Sequence, residues 1–143
     1  NPDWAMRLEA LQFFSAFALF GLIWTVQLVV YPAFRHVPAE RFTSAHQAHT
    51  RRISWIVIPL MMMEATASAA WVLYDRPLSP HQNGALACVA AAWLSTFLIQ
   101  VPLHHRLSRG FDPAAIERLI HSNWIRALAW SGKTVILLMA GWL

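Results

Sequence analysis

Residues 13–34, FFSAFALFGLIWTVQLVVYPAF, carry no charged side chain. The run exceeds the ~20 residues that a helix needs to cross the hydrocarbon of a bilayer. In lipid the backbone polar groups must be satisfied within the chain, which restricts such a run to a helix. Further apolar stretches follow, and the spans fall at about residues 10–34, 53–74, 85–103 and 123–142. The expected fold is all-α. It is an integral membrane four-helix bundle, one domain over residues 1–143, with short interfacial helices before spans two and four. Composition agrees, since 13% of the residues are charged and 57% hydrophobic. Soluble domains carry about a quarter charged residues. No basic n-region or small-residue cleavage site accompanies the first run, so it reads as a retained span and not as a signal peptide.

Punctuation between the spans is clear. Pro32 and Pro38 mark the exit from span one, and Pro38 with Glu40 suits the start of a helix. Pro59 lies inside span two and is expected to kink it, because proline lacks an N–H and crowds the preceding turn. The stretch DRPLSPHQNG, with two prolines and a glycine, reads as a turn. Asp112 followed by Pro113 reads as an N-cap and first helical residue. The single Cys88 excludes an intramolecular disulfide and any CxxC motif.

Arginines orient the spans. Arg35, Arg41, Arg51 and Arg52 fall in the first polar window, and Arg106, Arg109 and Arg118 in the second. The opposite side offers Arg7 and Arg76. By the positive-inside rule both windows are cytoplasmic and both termini are not. The expected location is a bacterial inner membrane. The formal net charge of +4 is spread over short loops. With no basic tail and no basic–aromatic interleaving, it points to lipid headgroups and not to nucleic acid.

Six of the seven histidines occupy those two windows. His36, His46 and His49 lie in the first; His104, His105 and His121 lie in the second. On a helix His46 and His49 share a face. His46, His49, His104 and His121 are candidate ligands for haem or a transition metal, or acid–base groups. The competing reading is a solvated headgroup surface. Gln100, one turn inside His104, is a candidate cofactor contact. Asn123 and Arg126 are candidate substrate-orienting groups. For Gln27 and Gln100, hydrogen bonding between helices is the plainer alternative.

Glu64 lies twelve positions beyond Arg52, ~18 Å into the bilayer at the helical rise. A carboxylate at that depth faces the bundle interior. It is either a proton-handling catalytic group or one half of an ion pair with Lys133. Fifteen residues separate His49 from Glu64, ~22 Å of helix, so the two do not share one metal. The di-iron bundle pattern fails too, because it needs two ExxH pairs and further glutamates.

Two stretches carry a resemblance. One is WTVQLVVYPAF with FTSAHQAHTRRISWIVIPLMMME; the other is VPLHHRLSRGFD with LIHSNWIRALAW. They resemble a group of small bacterial four-span membrane proteins of unknown function. More distantly, the chain is similar to the anthrone-oxygenase-like membrane family. That family ends its third span in an Asn-Val-Pro-Leu-Asn type motif and opens its fourth with Trp-Asn-x-x-Arg. Here Gln100 to His104 read QVPLH and Asn123 to Arg126 read NWIR, with His104 in place of an asparagine. A looser likeness in topology is to four-span haem-binding oxidases and copper-resistance membrane proteins. The first resemblance implies that Gln100, His104, Asn123, Arg126, His46, His49 and Glu64 belong together.

The resulting expectation is a redox or oxygenase-like membrane protein. A polar, histidine-rich pocket near the cytoplasmic interface would act on a hydrophobic small molecule, or hold haem or a metal. The alternatives are a non-catalytic assembly subunit of an oligomer or larger membrane complex, packed through the small residues 85–92, and a small proton-coupled transporter built on Glu64 and Lys133.

Overall fold

The structure is a computed structural model that describes residues 3–142. These form four helices: α1 (Asp3–His36), α2 (Ala39–Tyr74), α3 (Pro80–Leu107) and α4 (Pro113–Trp142). No strand occurs among the described residues. Connections of a few residues join the helices, as in bundles whose successive helices are antiparallel. α3 packs most closely on α4, and α1 packs on both α2 and α4. The seam between α2 and α3 is the loosest. That unequal packing leaves room for a cavity.

The polar segments expected as short helices before spans two and four run on into the apolar ones, as the sequence suggested. Each is the first part of a longer helix, α2 or α4, that continues into its apolar segment. α2 also runs through Pro59 as one helix. Part of the expected turn DRPLSPHQNG is helical. Ser79 caps α3 by accepting from the Gln82 N–H at 3.2 Å, while the Gln82 side chain accepts from the Ser79 N–H at 2.8 Å. This is a capping box, which satisfies two orphan donors at once. Asp112 caps α4 as expected, accepting from the Ala115 N–H at 3.0 Å.

α1, α2 and α3 are long and apolar enough to cross a membrane. α4 is less apolar, because Arg126 and Lys133 lie along it. The pattern of burial is inverted relative to a soluble protein. Phe14, Trp55, Ile58, Leu94, Leu98 and Leu128 point outward on the four helices, while Glu64, Arg126 and Lys133 are buried. So much outward apolar surface suits lipid and is rare on soluble monomers.

Two local irregularities shape the interior. Residues Val26–Val30 of α1 and Thr96–Gln100 of α3 form π-helical turns. Each is followed by an X–Pro pair, Tyr31-Pro32 and Val101-Pro102. Proline removes one backbone donor and crowds the carbonyl four residues earlier. The wider π turn relieves the crowding, and the Tyr31 and Val101 N–H groups donate to the carbonyls of Val26 and Thr96 instead. A π turn re-aims the side chains around it, which is why such turns recur at functional sites. Here the two turns bring Gln27 and Tyr31 on one helix, and Thr96, Gln100 and His104 on another, toward α4.

Candidate functional site

A chain of hydrogen bonds starts at Arg126, which is 7% exposed. Its Nε donates to Asn123 Oδ1 at 2.8 Å, and its Nη2 donates to the Tyr31 hydroxyl at 3.0 Å. A longer contact of 3.4 Å joins Nη1 to Thr96 Oγ1. The Tyr31 hydroxyl lies 3.0 Å from His104 Nε2, and His104 Nδ1 lies 2.9 Å from His46 Nε2. The His46 and His104 rings are stacked, with centroids 5.1 Å apart. Phe42 also stacks on His46, with centroids 5.6 Å apart. His49 lies beside the pair, its ring centroid 6.3 Å from that of His104. On the other side of Arg126, Asn123 Nδ2 donates to Gln27 Oε1 at 2.8 Å, and Gln27 Nε2 donates to the Ile120 carbonyl at 3.0 Å.

Donor and acceptor chemistry gives this chain a direction. Arginine has donors and no acceptor. The Tyr31 oxygen therefore accepts from Arg126. Tyr31 has no acceptor for its own proton among the described residues except His104 Nε2. With that proton placed there, neutral His104 carries hydrogen on Nδ1 and donates it to His46 Nε2. Neutral His46 then carries hydrogen on Nδ1. That atom is buried and without a partner. The opposite direction leaves the same atom without a partner and strands the Tyr31 proton as well. Each stranded buried group costs free energy. The favoured order is Arg126 to Tyr31 to His104 to His46.

The chain borders a cavity of about 420 Å³. Tyr31, His49, His104 and Arg126 line its polar part. Ile53, Val57, Met61, Phe97, Val101 and Trp130 are among the apolar residues that line much of the remainder. All four helices contribute, and the loose α2–α3 seam supplies most of the wall. Apolar walls with a few convergent polar groups are the usual makeup of a small-molecule site.

A second polar group lies deeper. Lys133 Nζ donates to Glu64 Oε1 at 2.9 Å, and both side chains are 0% exposed. Trp130 Nε1 lies 3.1 Å from Glu64 Oε1, and Trp93 Nε1 lies 3.3 Å from Glu64 Oε2. A carboxylate with three donors is compensated in place. Of the two readings open in the sequence, the ion pair is the one seen here. Glu64 is not among the cavity-lining residues.

The residues singled out in the sequence therefore separate into groups. His46, His49, His104, Asn123 and Arg126 are brought together. Gln100 also lines the cavity, but its side chain is engaged by Ser95 at 2.8 Å and Ser122 at 3.1 Å. His121 is not part of the cluster. It is exposed, and its Nδ1 bonds to the carbonyl of Glu117 one turn back. The expected four-histidine ligand set is thus not assembled. His46 Nε2 and His104 Nδ1 are occupied with each other, which removes one nitrogen of each from coordination. Among the described residues no three His, Cys, Asp or Glu side chains are grouped to hold a metal ion. In this arrangement the four histidines do not come together as one metal ligand set.

Tyr31, which the sequence did not single out, is a member of the network. Its place before Pro32, at the end of a π turn, was the available signal. Thr96 was missed for want of any such signal.

Comparison with protein-family models, curated proteins and solved structures finds no match for this chain.

Proposed function

We propose that this is a membrane protein that binds a hydrophobic small molecule between its helices and moves a proton at the oxygen-bearing end of that molecule. The observation that carries the reading is the continuity of the cavity with the Arg126–Tyr31–His104–His46 chain. The tail of such a molecule would lie along Val57, Met61, Phe97 and Val101. Its polar end would meet Tyr31, His104, His49 and Arg126. Within that chain Tyr31, His104 and His46 form a run of hydrogen bonds with one polarity: a proton taken up at the Tyr31 oxygen sends the Tyr31 proton to His104 and the His104 proton to His46, which becomes the imidazolium, while Arg126 keeps its proton and fixes the direction. This retains the oxygenase-like expectation in its substrate class and acid–base part, without a step through haem or metal. Glu64 and Lys133 hold the helices beneath the site and take no part in that transfer.

In this reading all four helices cross the bilayer. Arg126 and Lys133 do not prevent α4 from doing so, because both are covered by neighbouring helices. The two histidine windows then open on the cytoplasmic side. Single-cysteine labelling in a Cys88→Ala background tests the topology. Thr43→Cys and Arg109→Cys are expected to label from the cytoplasmic side alone, and labelling from opposite sides contradicts the arrangement.

Binding is tested by native mass spectrometry of protein released from mild detergent. An extra small-molecule mass is expected on the wild type. Val57→Trp, which fills the cavity, is expected to abolish it. Leu98→Trp, on the outward face of α3, should retain it. Equal retention by both variants would remove the cavity as the binding site.

A further inference from the structure

α4 carries two buried cations, Arg126 and Lys133, seven residues apart. Two helical turns place them on one face, ~10 Å from each other. Lys133 has its carboxylate, Glu64. Arg126 has none among the described residues; its three hydrogen-bond partners, Asn123, Thr96 and Tyr31, are all neutral. The guanidinium also lies 5.9 Å from the Trp130 ring centroid, a weak attraction beside a full counter-charge. Arginine keeps its proton inside proteins, so the charge persists. Buried charges are, as a rule, paired.

The donor count points the same way. A guanidinium has five N–H groups, and three are used here. One N–H on each terminal nitrogen is left without an acceptor among the described residues. Arg126 lines the cavity. So does His49 of α2, which makes no hydrogen bond among the described residues and keeps a ring nitrogen available as a further donor. The polar part of the cavity is thus rich in donors and lacks one negative charge. Most of the rest of its wall is apolar, and the Thr50, Ser54 and Ser108 hydroxyls there donate to backbone carbonyls of their own helices.

From this we infer that the molecule taken by the cavity is an amphiphile with an acidic oxygen group, a carboxylate or phosphate on an apolar body, whose anion pairs with Arg126 and accepts from His49. The inference rests on the cavity being a binding site and specifies the charge of its occupant. Either a free single-chain acid or the headgroup of an anionic lipid presents that chemistry.

The test uses the full chain in phosphatidylcholine nanodiscs, with tritiated palmitate as the probe in a scintillation proximity assay. Unlabelled palmitate, hexadecanol and dioleoylphosphatidic acid compete. A charge-assisted hydrogen bond that the acid makes and the alcohol does not corresponds to roughly ten-fold to a hundred-fold in affinity. Palmitate is therefore expected to compete at a concentration at least ~10-fold below that of hexadecanol. Arg126→Gln should erase the difference and Arg126→Lys should keep most of it. The lysine variant guards against a glutamine variant that fails to fold. Stronger competition by phosphatidic acid than by palmitate supports the same anion site and assigns it to a lipid headgroup. Equal competition by palmitate and hexadecanol, both lost in Val57→Trp, overturns the anion and leaves the cavity as a site. Palmitate binding that Val57→Trp does not change overturns the cavity as well.

Discussion

Glu64→Gln destabilises the protein by about 3–5 kcal/mol, because it leaves the Lys133 ammonium buried and unpaired. Lys133→Met does comparable harm from the other side, although Trp93 and Trp130 still donate to the carboxylate. The double variant Glu64→Gln/Lys133→Met is more stable than either single variant. It removes both charges and keeps a side-chain carbonyl for the indole N–H of Trp130. Reversible unfolding in mixed detergent, followed by tryptophan fluorescence, measures the cycle. Two single-variant losses that simply add in the double variant would show that the two groups do not interact. A functional carboxylate gives a different pattern: Glu64→Gln would remove activity while stability stayed near wild type.

Asn123→Leu has the second large effect. Asn123 is the one residue that bonds both Arg126 and Gln27. Removing it orphans the Arg126 Nε–H and Gln27 Oε1 together, at about 1–3 kcal/mol for each buried group left without a partner. Asn123→Asp, which keeps the acceptor and adds a negative charge beside Arg126, should retain most of the stability and weaken the preference for an anionic ligand. The first outcome is read from the same unfolding assay and the second from the palmitate competition. Wild-type stability in Asn123→Leu would mean that the network does not order the site.

Much of the fold was legible because lipid imposes simple rules. Long, mostly apolar runs gave the helices, and Asp112-Pro113 gave the start of the last one. The polar segments before spans two and four were legible too, since each is helix-permissive and leads without a break into an apolar run. The capping box at Ser79 was written in the sequence and hidden among turn-forming residues.

The site was legible in part. His46, His49, His104, Asn123 and Arg126 stood out because polar residues near spans are expensive and few. Pairing partners were not readable from spacing, except for Glu64 and Lys133, where two buried opposite charges at similar depth had one economical arrangement. Tyr31 and Thr96 reach the network through two π turns, and nothing in a helical wheel of period 3.6 anticipates an extra residue per turn. His121 went the other way. It shares a window with His104 but caps a carbonyl of its own helix.

The proposed proton movement at this site requires the two histidine windows to meet through one directed hydrogen bond. Nitrogen-15 NMR of histidine-labelled protein reports this directly, with His46→Gln and His104→Gln assigning the signals. The predicted result is a through-hydrogen-bond coupling between His46 Nε2 and His104 Nδ1, with hydrogen on Nδ1 of both rings, and a change in the His104 tautomer in Tyr31→Phe. Two uncoupled rings, each titrating as a free imidazole and unmoved by Tyr31→Phe, would contradict it.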